Sequence, residues 1–380
     1  MVRVAVLGAG PTGLEAALAA HERGWEVAVY ERAAVVADHV RDWSHVRTFT
    51  PWPMNVSPRV KAALGLPGQQ CPSGAELAEH LDRVADLLPS GTVHLSTTVG
   101  AVGRDGLIKS DEIGTPERES RRFRILLTGP DGRERYESAD VVIDCTGTYG
   151  NPSPTGHGGL PALGERTVPI IRRIPEVDGS WAGRQVLLVG AGKSAQTAAR
   201  ALDAVGANLT WAVRSPAPSW GAVPNDVLPD REALVTSSRA VEAAGKVLSG
   251  VVVEAFRPDG EQVVVTLARA DGSTVDVTVD CVISLTGSVP DPSLYRQLQV
   301  HECYATEGVM SLAATLLGDS GGDCLAQVSS GVDALRNPEP RFFVLGSKSY
   351  GRNNTFLLRV GWEQVDAVFA ALDEELLVQA

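Results

Sequence analysis

The sequence predicts an α/β fold with two similar three-layer domains, one of them inserted into the other. Two glycine-rich turns, at residues 8–13 and 190–195, each lie between a short β-branched segment and a run of helix-forming residues. Each turn is followed later by a hairpin and a closing apolar strand, at residues 124–147 and 263–287. Because the whole pattern occurs twice, we expect two related modules, and its order makes the second interrupt the first.

The first glycine turn has the spacing of a phosphate-binding loop. Residues 2–7 predict a strand, and residues 14–23 predict a helix. Between them, Gly8 allows a tight turn, Gly10 leaves room for a pyrophosphate, and Gly13 lets the helix pack closely on the strand. The free N–H groups at the start of the helix favour an anion there. The other members of this turn that we expect to contact the ligand are Pro11 and Thr12.

The residue that ends the next predicted strand indicates the ligand of the first module. Residues 27–30 form this strand, and Glu31 follows it. A carboxylate at this position accepts hydrogen bonds from both ribose hydroxyls of an adenosine and repels a 2′-phosphate. Strand, turn, helix, strand and acid together predict a Rossmann-like, dinucleotide-binding domain. We include the neighbouring Arg32 among its ligand contacts.

The second glycine turn repeats the pattern with a different charge at its end. The next predicted strand, residues 209–213, ends on Arg214. A guanidinium pairs with a 2′-phosphate, so this module is predicted to prefer NADPH to NADH. The alternative is that Arg214 is an ordinary surface residue. The expected ligand contacts of this module are Gly190, Gly192, Lys193, Ser194, Ala195, Arg214 and Ser215.

Charge and hydropathy exclude several classes of partner. The net charge of -12 opposes a nucleic-acid or anionic-membrane partner, because both require a concentrated basic surface. No apolar stretch is long enough to cross a membrane, and residues 2–7 follow Met1 without a targeting segment. We therefore expect a cytoplasmic protein, and a homodimer remains open.

The five cysteines form no redox or metal-binding pattern. No Cys-x-x-Cys motif occurs, and Cys145 and Cys281 lie in apolar, strand-like segments that predict inert core residues. His301 and Cys303 are too few to form a metal site, so no metal is expected. The remaining cysteines are Cys71 and Cys324.

These motifs resemble those of the two-dinucleotide-binding-domain flavoproteins, and specifically the class B flavin monooxygenases, the flavin-containing monooxygenase and N-hydroxylase group. The resemblance covers nearly the whole chain, from GAGPTG with Glu31 through DVVIDCTG and GAGKSA to FFVLG at residues 342–346. It implies a discontinuous FAD domain, residues 1–156 and 288–380, around an NADPH domain, residues 157–287.

The chain departs from this family at two positions. Ser347 follows Gly346, where the family usually has an aspartate that reaches the ribityl or phosphate region of the flavin. Residues 169–173 (PIIRR) stand where the group has a Phe-x-Gly-x-x-x-His motif. The fold expectation rests on the motifs that remain.

Residues 43–55 are too rich in proline and polar residues for a regular element, and predict a loop that contacts ligand. Trp43 or Trp52 either covers the flavin ring or lies in the core. Arg47 is expected to bind flavin carbonyls or the NADPH phosphate. Asn55 falls where the flavin-containing monooxygenases have an asparagine beside the flavin, and we expect Asn55 and Arg47 to be the catalytic residues. Further FAD contacts are expected from His45, Val99, Thr146 and Gly147.

A polar turn at residues 346–355 precedes a predicted amphipathic helix, residues 356–372. A strand, a polar turn and a helix N-terminus suit the flavin N1–C2=O end, where negative charge develops on reduction. Asn354 or Thr355 is expected to cap this helix. Lys348 and Arg352 either contribute to the site or face solvent. The expected cofactor contacts here are Gly346, Ser347, Thr355 and Phe356.

Three functions compete. The first is an NADPH-dependent FAD monooxygenase that uses molecular oxygen to oxygenate a small soft nucleophile, an amine nitrogen or a sulfide, through a C4a-hydroperoxyflavin. The second is an FAD- and NADPH-dependent reductase of a quinone, a carrier or a small electrophile, working without a redox dithiol. The third is a non-enzymatic FAD-binding redox sensor.

Overall fold

A computed structural model describes residues 1–318, 325 and 330–378 of the chain. The chain divides into two compact units, Met1–Asn151 with Val289–Ala380 (the first unit) and Pro152–Ser288 (the second unit). The first boundary follows Asn151 instead of residue 156, because residues 152 and 153 pair with the far end of the second unit. Ser153 N donates to Gly287 O, and Pro152 forms a bridge with Ser288.

Strands and helices alternate through both units. The strands are β1 (Arg3–Leu7), β2 (Glu26–Tyr30), β3 (Val93–His94), β4 (Thr98–Arg104), β5 (Phe123–Thr128), β6 (Glu134–Ala139), β7 (Val141–Asp144), β8 (Ile170–Ile171), β9 (Gln185–Val189), β10 (Asn208–Val213), β11 (Val247–Ser249), β12 (Val251–Asp259), β13 (Gln262–Arg269), β14 (Thr274–Val279), β15 (Cys281–Ser284) and β16 (Phe342–Val344). The helices are α1 (Pro11–Glu22), α2 (Asp38–Arg41), α3 (Trp52–Asn55), α4 (Pro58–Leu64), α5 (Gly74–Ala85), α6 (Pro116–Ser120), α7 (Lys193–Ala204), α8 (Pro229–Ala243), α9 (Met310–Gly318) and α10 (Leu358–Val378).

The first unit is built on a parallel sheet with the strand order β16, β7, β1, β2, β3. The central strands β1 and β7 are buried apolar runs, as expected for strands covered on both faces. Helix α1 packs between the sheet and helices α5 and α10. Strand β16 lies beside β7, where Phe342 pairs with Val142, so the last part of the chain completes the sheet of the first unit.

The second unit repeats this plan with the order β11, β10, β9, β15, β8, again all parallel. Side chains of β9 alternate between two cores. Val186 and Leu188 pack with α7, whereas Leu187 and Val189 pack with strands β12 to β14. The unit therefore has three layers, which confirms the predicted α/β class with two Rossmann-like domains.

A small antiparallel sheet accompanies each parallel sheet, with the orders β4, β5, β6 and β12, β13, β14. The two predicted hairpins are confirmed as β5 with β6 and β13 with β14. Strands β4 and β12 have no equivalent in the sequence prediction, and each contains a register shift, which weakens the alternation that identifies a strand.

Two local predictions were wrong. Residues 43–55 are not wholly irregular, because α3 forms one helical turn within them. Helix α10 begins at Leu358 and not at residue 356, and Thr355 donates its hydroxyl to Asn353 Oδ1 (2.8 Å) instead of capping the helix. Within the described part of the chain, no helix combines the length and apolarity needed to cross a bilayer. Cys324 lies outside the described residues.

Candidate functional site

The carboxyl ends of β1, β2, β7 and β16 meet at one edge of the first unit's sheet, because these neighbouring strands are parallel. This edge, which we call the carboxyl edge, is the usual location of ligand sites in open α/β sheets. The turns that start there place Gly8, Glu31, Thr146 and Gly346 at this edge of the first unit. The sequence predicted all of them as cofactor contacts.

Two glycines of the first glycine turn have no room for a Cβ atom, and we call them sealed; the third faces free space, and we call it open. Gly8 has a φ of 96°, and a Cβ on it would come 2.8 Å from Cys145 O. A Cβ on Gly13 would overlap Gly8 O. At Gly10, by contrast, nothing lies within 4 Å of a Cβ position. Gly8 and Gly13 are thus required by packing alone, whereas Gly10 leaves an open face beside the start of α1.

Glu31 holds the glycine turn in shape. One carboxylate oxygen accepts a hydrogen bond from Ala9 N and the other from Ala33 N, both at 2.8 Å. An ionised carboxylate has about four acceptor positions, so Glu31 retains capacity for two further donors such as ribose hydroxyls. Arg32, the next residue, is exposed.

A buried ion pair lies under the turn that follows β7. Lys348 Nζ lies 2.7 Å from Asp144 Oδ2 and 3.0 Å from Thr146 Oγ1, and it also faces the Tyr295 ring at 5.0 Å. Asp144 Oδ1 accepts from the backbone N–H and the hydroxyl of Thr146. Lys348 is therefore not solvent-facing, which corrects one of the two alternatives expected from the sequence. It holds the turn after β7 through Asp144 and Thr146. A charged Asp144 closing a buried apolar strand was the signal that a cation partner exists.

The turn after β16 brings the predicted residues of the C-terminal segment to the carboxyl edge. Gly346 N donates to Gln364 Oε1 at 2.8 Å, which anchors the turn to α10. Ser347 Oγ lies 3.7 Å from the Cβ position of Gly147, and the Thr12 hydroxyl lies 2.9 Å from that of Gly346. The turns after β1, β7 and β16 thus meet.

The two residues of segment 43–55 that we expected to be catalytic are hydrogen-bonded to neighbouring groups of the protein. The Asn55 amide donates to Thr50 O and Pro51 O, and its oxygen accepts from the Thr50 hydroxyl. Arg47 is exposed, and it binds Cys71 O and the Glu76 carboxylate. The Asn55 donors are thus used within its own loop and Arg47 is held on the surface. The catalytic roles of both residues stay predictions.

The aromatic residues of this segment are core residues to different degrees. Trp52 is 2% exposed and meets His80 edge to face at 5.3 Å, so it packs in the core and does not cover a ligand. Trp43 is half-buried against the same core, and His45 is exposed. Val99 lies near the start of β4, two residues after Thr97, whose N–H donates to Glu31 O at 2.8 Å. Phe356 packs on Tyr350.

Cys145 follows Asp144 directly and lies against the first glycine turn. Burial, together with the Asp144 charge, raises the pKa of the Cys145 thiol well above its usual range. Burial also raises the pKa of Cys281 in the second unit. Neither thiol is ionised near neutral pH, which agrees with the expected inert role.

The second glycine turn has the same combination of sealed and open positions. Gly190 has a φ of 120°, and a Cβ on it would overlap Leu285 O, whereas nothing lies within 4 Å of a Cβ position on Gly192. Trp211 Nε1 donates to Gly190 O at 2.6 Å and fixes the turn from the neighbouring strand. Ala195 is fully buried, and Ser194 is exposed.

Arg214 lies at the end of β10, beside the second glycine turn, and is exposed. It has no hydrogen bond or ion pair within residues 1–318, 325 and 330–378. Ser215 is also exposed, and its carbonyl accepts from Gly250 N. The two units thus end their second strands on opposite charges, with Glu31 hydrogen-bonded in the first and Arg214 without a described partner in the second.

No protein-family model matches the chain, and no curated protein is similar to it in sequence. Solved structures are similar over the whole length. The bacillithiol disulfide reductase from Bacillus cereus has a TM-score of 0.75 at 20% identity, covering 98% of this chain and 99% of that one. The thioredoxin reductase from T. acidophilum gives 0.62 at 18%, covering 98% of each chain. The ornithine N-hydroxylase from Kutzneria sp. 744 gives 0.64 at 14%, covering 98% and 99%. At these identities the likeness shows the fold, which reductases and oxygenating enzymes share.

Proposed function

We propose that this protein is an oxidoreductase that binds FAD in the first unit and NADPH in the second. The observation that carries the proposal is the repeated glycine turn with opposite charges, Glu31 in one unit and Arg214 in the other. In each turn the glycines that face protein are sealed, and the middle glycine, Gly10 or Gly192, faces open space. That is the arrangement a pyrophosphate requires, because it must approach the backbone at this point.

The residues at the carboxyl edge fit FAD. Gly10 and Thr12 would receive the pyrophosphate at the start of α1, and Glu31 would accept the ribose hydroxyls. Gly147 and Ser347, which face each other across the turns, would contact the remaining part of the cofactor. The flavin supplies hydride acceptance and electron transfer, and the protein supplies binding and orientation.

The second unit fits NADPH. Gly192 and the start of α7 would receive the pyrophosphate, and Arg214 would bind the 2′-phosphate. The exposure of Arg214 and its lack of a partner among the described residues support this role, because its guanidinium is available.

For the reaction class, we propose first a monooxygenase that oxygenates an amine nitrogen or a sulfide. The motif resemblance to class B flavin monooxygenases and the likeness to the ornithine N-hydroxylase support it. The second candidate is a reductase of a small acceptor, favoured by the likeness to the bacillithiol disulfide reductase. The raised pKa values of Cys145 and Cys281 argue against either thiol as the attacking group of a disulfide reductase.

The first experiment tests the cofactor. Purified protein is expected to be yellow and to release FAD on denaturation. Gly10→Val should lose the flavin, because its side chain would occupy the open face of the turn. Gly103→Val is the matched control, since Gly103 is also open but lies in β4. Release of FMN, or wild-type FAD content in Gly10→Val, would contradict the proposal.

The second experiment separates the reaction classes. A monooxygenase consumes oxygen in proportion to NADPH and yields an oxygenated amine or sulfide. A reductase oxidises NADPH without oxygen once a quinone or a disulfide is added. NADPH oxidation that needs such an acceptor under anaerobic conditions, with no oxygenated product in air, would replace the first candidate with the second.

A further inference from the structure

Residues 214–228, which connect β10 to α8, are tied by hydrogen bonds to the second glycine turn; we call this connection the strap. Gln196, near the start of α7, is 1% exposed. Its amide nitrogen donates to Ala191 O in the glycine turn (3.0 Å) and to Trp220 O in the strap (3.1 Å). One amide group therefore connects the glycine turn to the strap.

Lys193 makes a second connection between α7 and the strap. Its Nζ lies 3.0 Å from Trp220 O, 3.4 Å from Gly221 O and 3.4 Å from Gln196 Oε1. An ammonium has three donor hydrogens, and these contacts engage them. A phosphate oxygen therefore competes with these acceptors, of which the two at 3.4 Å are the weakest.

The strap is held in a strained conformation. Trp220 has a φ of 57°, in the left-handed region that bulky residues rarely adopt. Such strain persists only where the surroundings impose it. The Trp220 ring lies 4.5 Å from the Trp211 ring, and its Nε1 donates to Glu242. Loss of the Lys193 hydrogen bond to Trp220 O is therefore expected to let the strap relax to a less strained conformation.

The strap also carries a carboxylate that attracts Lys193. Asp226 forms an ion pair with Arg231 at 2.5 Å, and both side chains are buried. Hydrogen bonds from Arg231 lower the pKa of Asp226, and the charge of Lys193 adds to this effect. The charge of Asp226 thus attracts Lys193 toward the strap. On its other side, Lys193 adjoins Gly192, where the face of the glycine turn is open.

We propose that Lys193 exchanges the strap carbonyls for a phosphate group at the second glycine turn, so that ligand binding releases the strap. The inference rests on the proposed binding of a dinucleotide by the second unit. A phosphate oxygen is a stronger acceptor for an ammonium than a neutral carbonyl is, so the exchange is favourable when the ligand arrives. Lys193 then reports the occupancy of the turn to residues 214–228.

The test is hydrogen–deuterium exchange of residues 214–228 in the FAD-loaded protein. Without ligand, Lys193→Met should exchange about tenfold faster in the strap than the wild type, because a hydrogen bond to a charged group is lost. Lys246→Met is the matched control, since Lys246 pairs with Asp203 elsewhere on the second unit. Equal exchange in Lys193→Met and wild type would show that Lys193 does not hold the strap in place, and would overturn the inference. Lys193→Arg keeps a cation and should retain the slow exchange. This result would show that faster exchange in Lys193→Met comes from the lost charge and not from misfolding.

The ligand arms use NADP⁺ and inorganic phosphate, with binding measured by calorimetry in parallel. Either ligand should accelerate strap exchange in the wild type and leave Lys193→Met unchanged. If phosphate alone accelerates hydrogen–deuterium exchange, the proposed change of Lys193 partners is supported with a free anion as the ligand. If NADP⁺ alone accelerates it, the change is supported with the dinucleotide as the ligand. NADP⁺ that binds while strap exchange stays constant or slows would overturn the inference and leave the proposed function standing. No binding of NADP⁺ would instead overturn the proposed function, and the inference with it.

Discussion

The ammonium of Lys348 and the carboxylate of Asp144 form an ion pair at 2.7 Å that is almost completely withdrawn from solvent, with side-chain exposures of 1% and 0%. Asp144 ends β7, and Lys348 lies in the turn after β16. Because these strands are parallel neighbours, the pair joins the two turns that carry Thr146 and Ser347. It thereby fixes one side of the proposed FAD site.

Lys348→Met should destabilise the first unit strongly. The substitution leaves the Asp144 charge buried without a partner, which typically costs about 3 to 5 kcal/mol. Urea unfolding followed by circular dichroism measures the loss. The double variant Asp144→Asn/Lys348→Met should recover part of it, because no buried charge remains. Lys61→Met, at an exposed position of α4, is the control and should stay within about 0.5 kcal/mol of the wild type. A loss no larger in Lys348→Met than in this control would show that the pair does not stabilise the fold.

Gly13→Ala and Gly10→Ala should differ in stability although both lie in the first glycine turn. A Cβ on Gly13 overlaps Gly8 O, so strand and helix must separate, at a cost of about 1 to 3 kcal/mol. Gly10 has an extended backbone and open space around it, so alanine there should leave the melting temperature nearly unchanged. Thermal melts of both variants in the flavin-free form provide the measurement, and equal melting temperatures would contradict the packing argument.

Arg214→Ala should raise the Michaelis constant for NADPH. A charge-assisted contact to the 2′-phosphate contributes about 1.5 to 3 kcal/mol, which corresponds to roughly ten- to a hundred-fold in affinity. The constant for NADH and the FAD content should stay the same, because the contact is made equally in ground and transition states and only to the phosphate. Arg200→Ala, on the exposed side of α7, is the matched control. An unchanged NADPH constant would assign Arg214 to the surface.

Stability of the first unit should fall in mild acid because of His80. This side chain is 4% exposed, and neither ring nitrogen has a hydrogen-bond partner in the part of the chain that the structure describes. Burial, and to a smaller extent the Arg83 charge, lowers the pKa of His80. The unfolded chain therefore binds a proton below about pH 6.5 while the folded protein resists it, so stability is present above that pH and decreases as the pH falls toward the lowered pKa.

The slope attributable to His80 is at most one proton, about 1.4 kcal/mol per pH unit. His80→Leu should flatten the dependence of urea unfolding on pH between about 6.5 and 5. His157→Leu, at an exposed position, should leave that slope as in the wild type. A wild-type slope in His80→Leu would exclude His80 as the source.

Local patterns were enough to predict the elements that follow local rules. The predicted first strand, residues 2–7, is observed as Arg3–Leu7, because β-branched residues before a glycine turn have few alternatives. Glu31 and Arg214 lie at the strand ends, where the repeat placed them. The fold class follows from this repetition, since each copy supports the interpretation of the other.

Contacts distant in sequence account for what the sequence did not predict. Lys348 is buried because it pairs with Asp144. Asp144 precedes the second unit in the sequence and Lys348 follows it, so no local pattern indicates the pair. Trp52 lies in the core because it packs on His80 of α5, which no spacing within residues 43–55 indicates. The sequence did not predict the helix start at Leu358, because it assigned Thr355 or Asn354 as the cap. In the structure the Thr355 hydroxyl instead donates to Asn353 within the preceding turn.

The position of β16 beside β7 has a consequence for biosynthesis. A ribosome releases residues 1–151 and then the whole second unit before the strand that completes the first sheet emerges. The second unit is continuous and can fold while it is being made, whereas β7 keeps an unpaired strand edge until Phe342–Val344 arrives. Chaperone binding during synthesis is therefore expected at the first segment to be translated, and folding of the first unit follows the completion of translation.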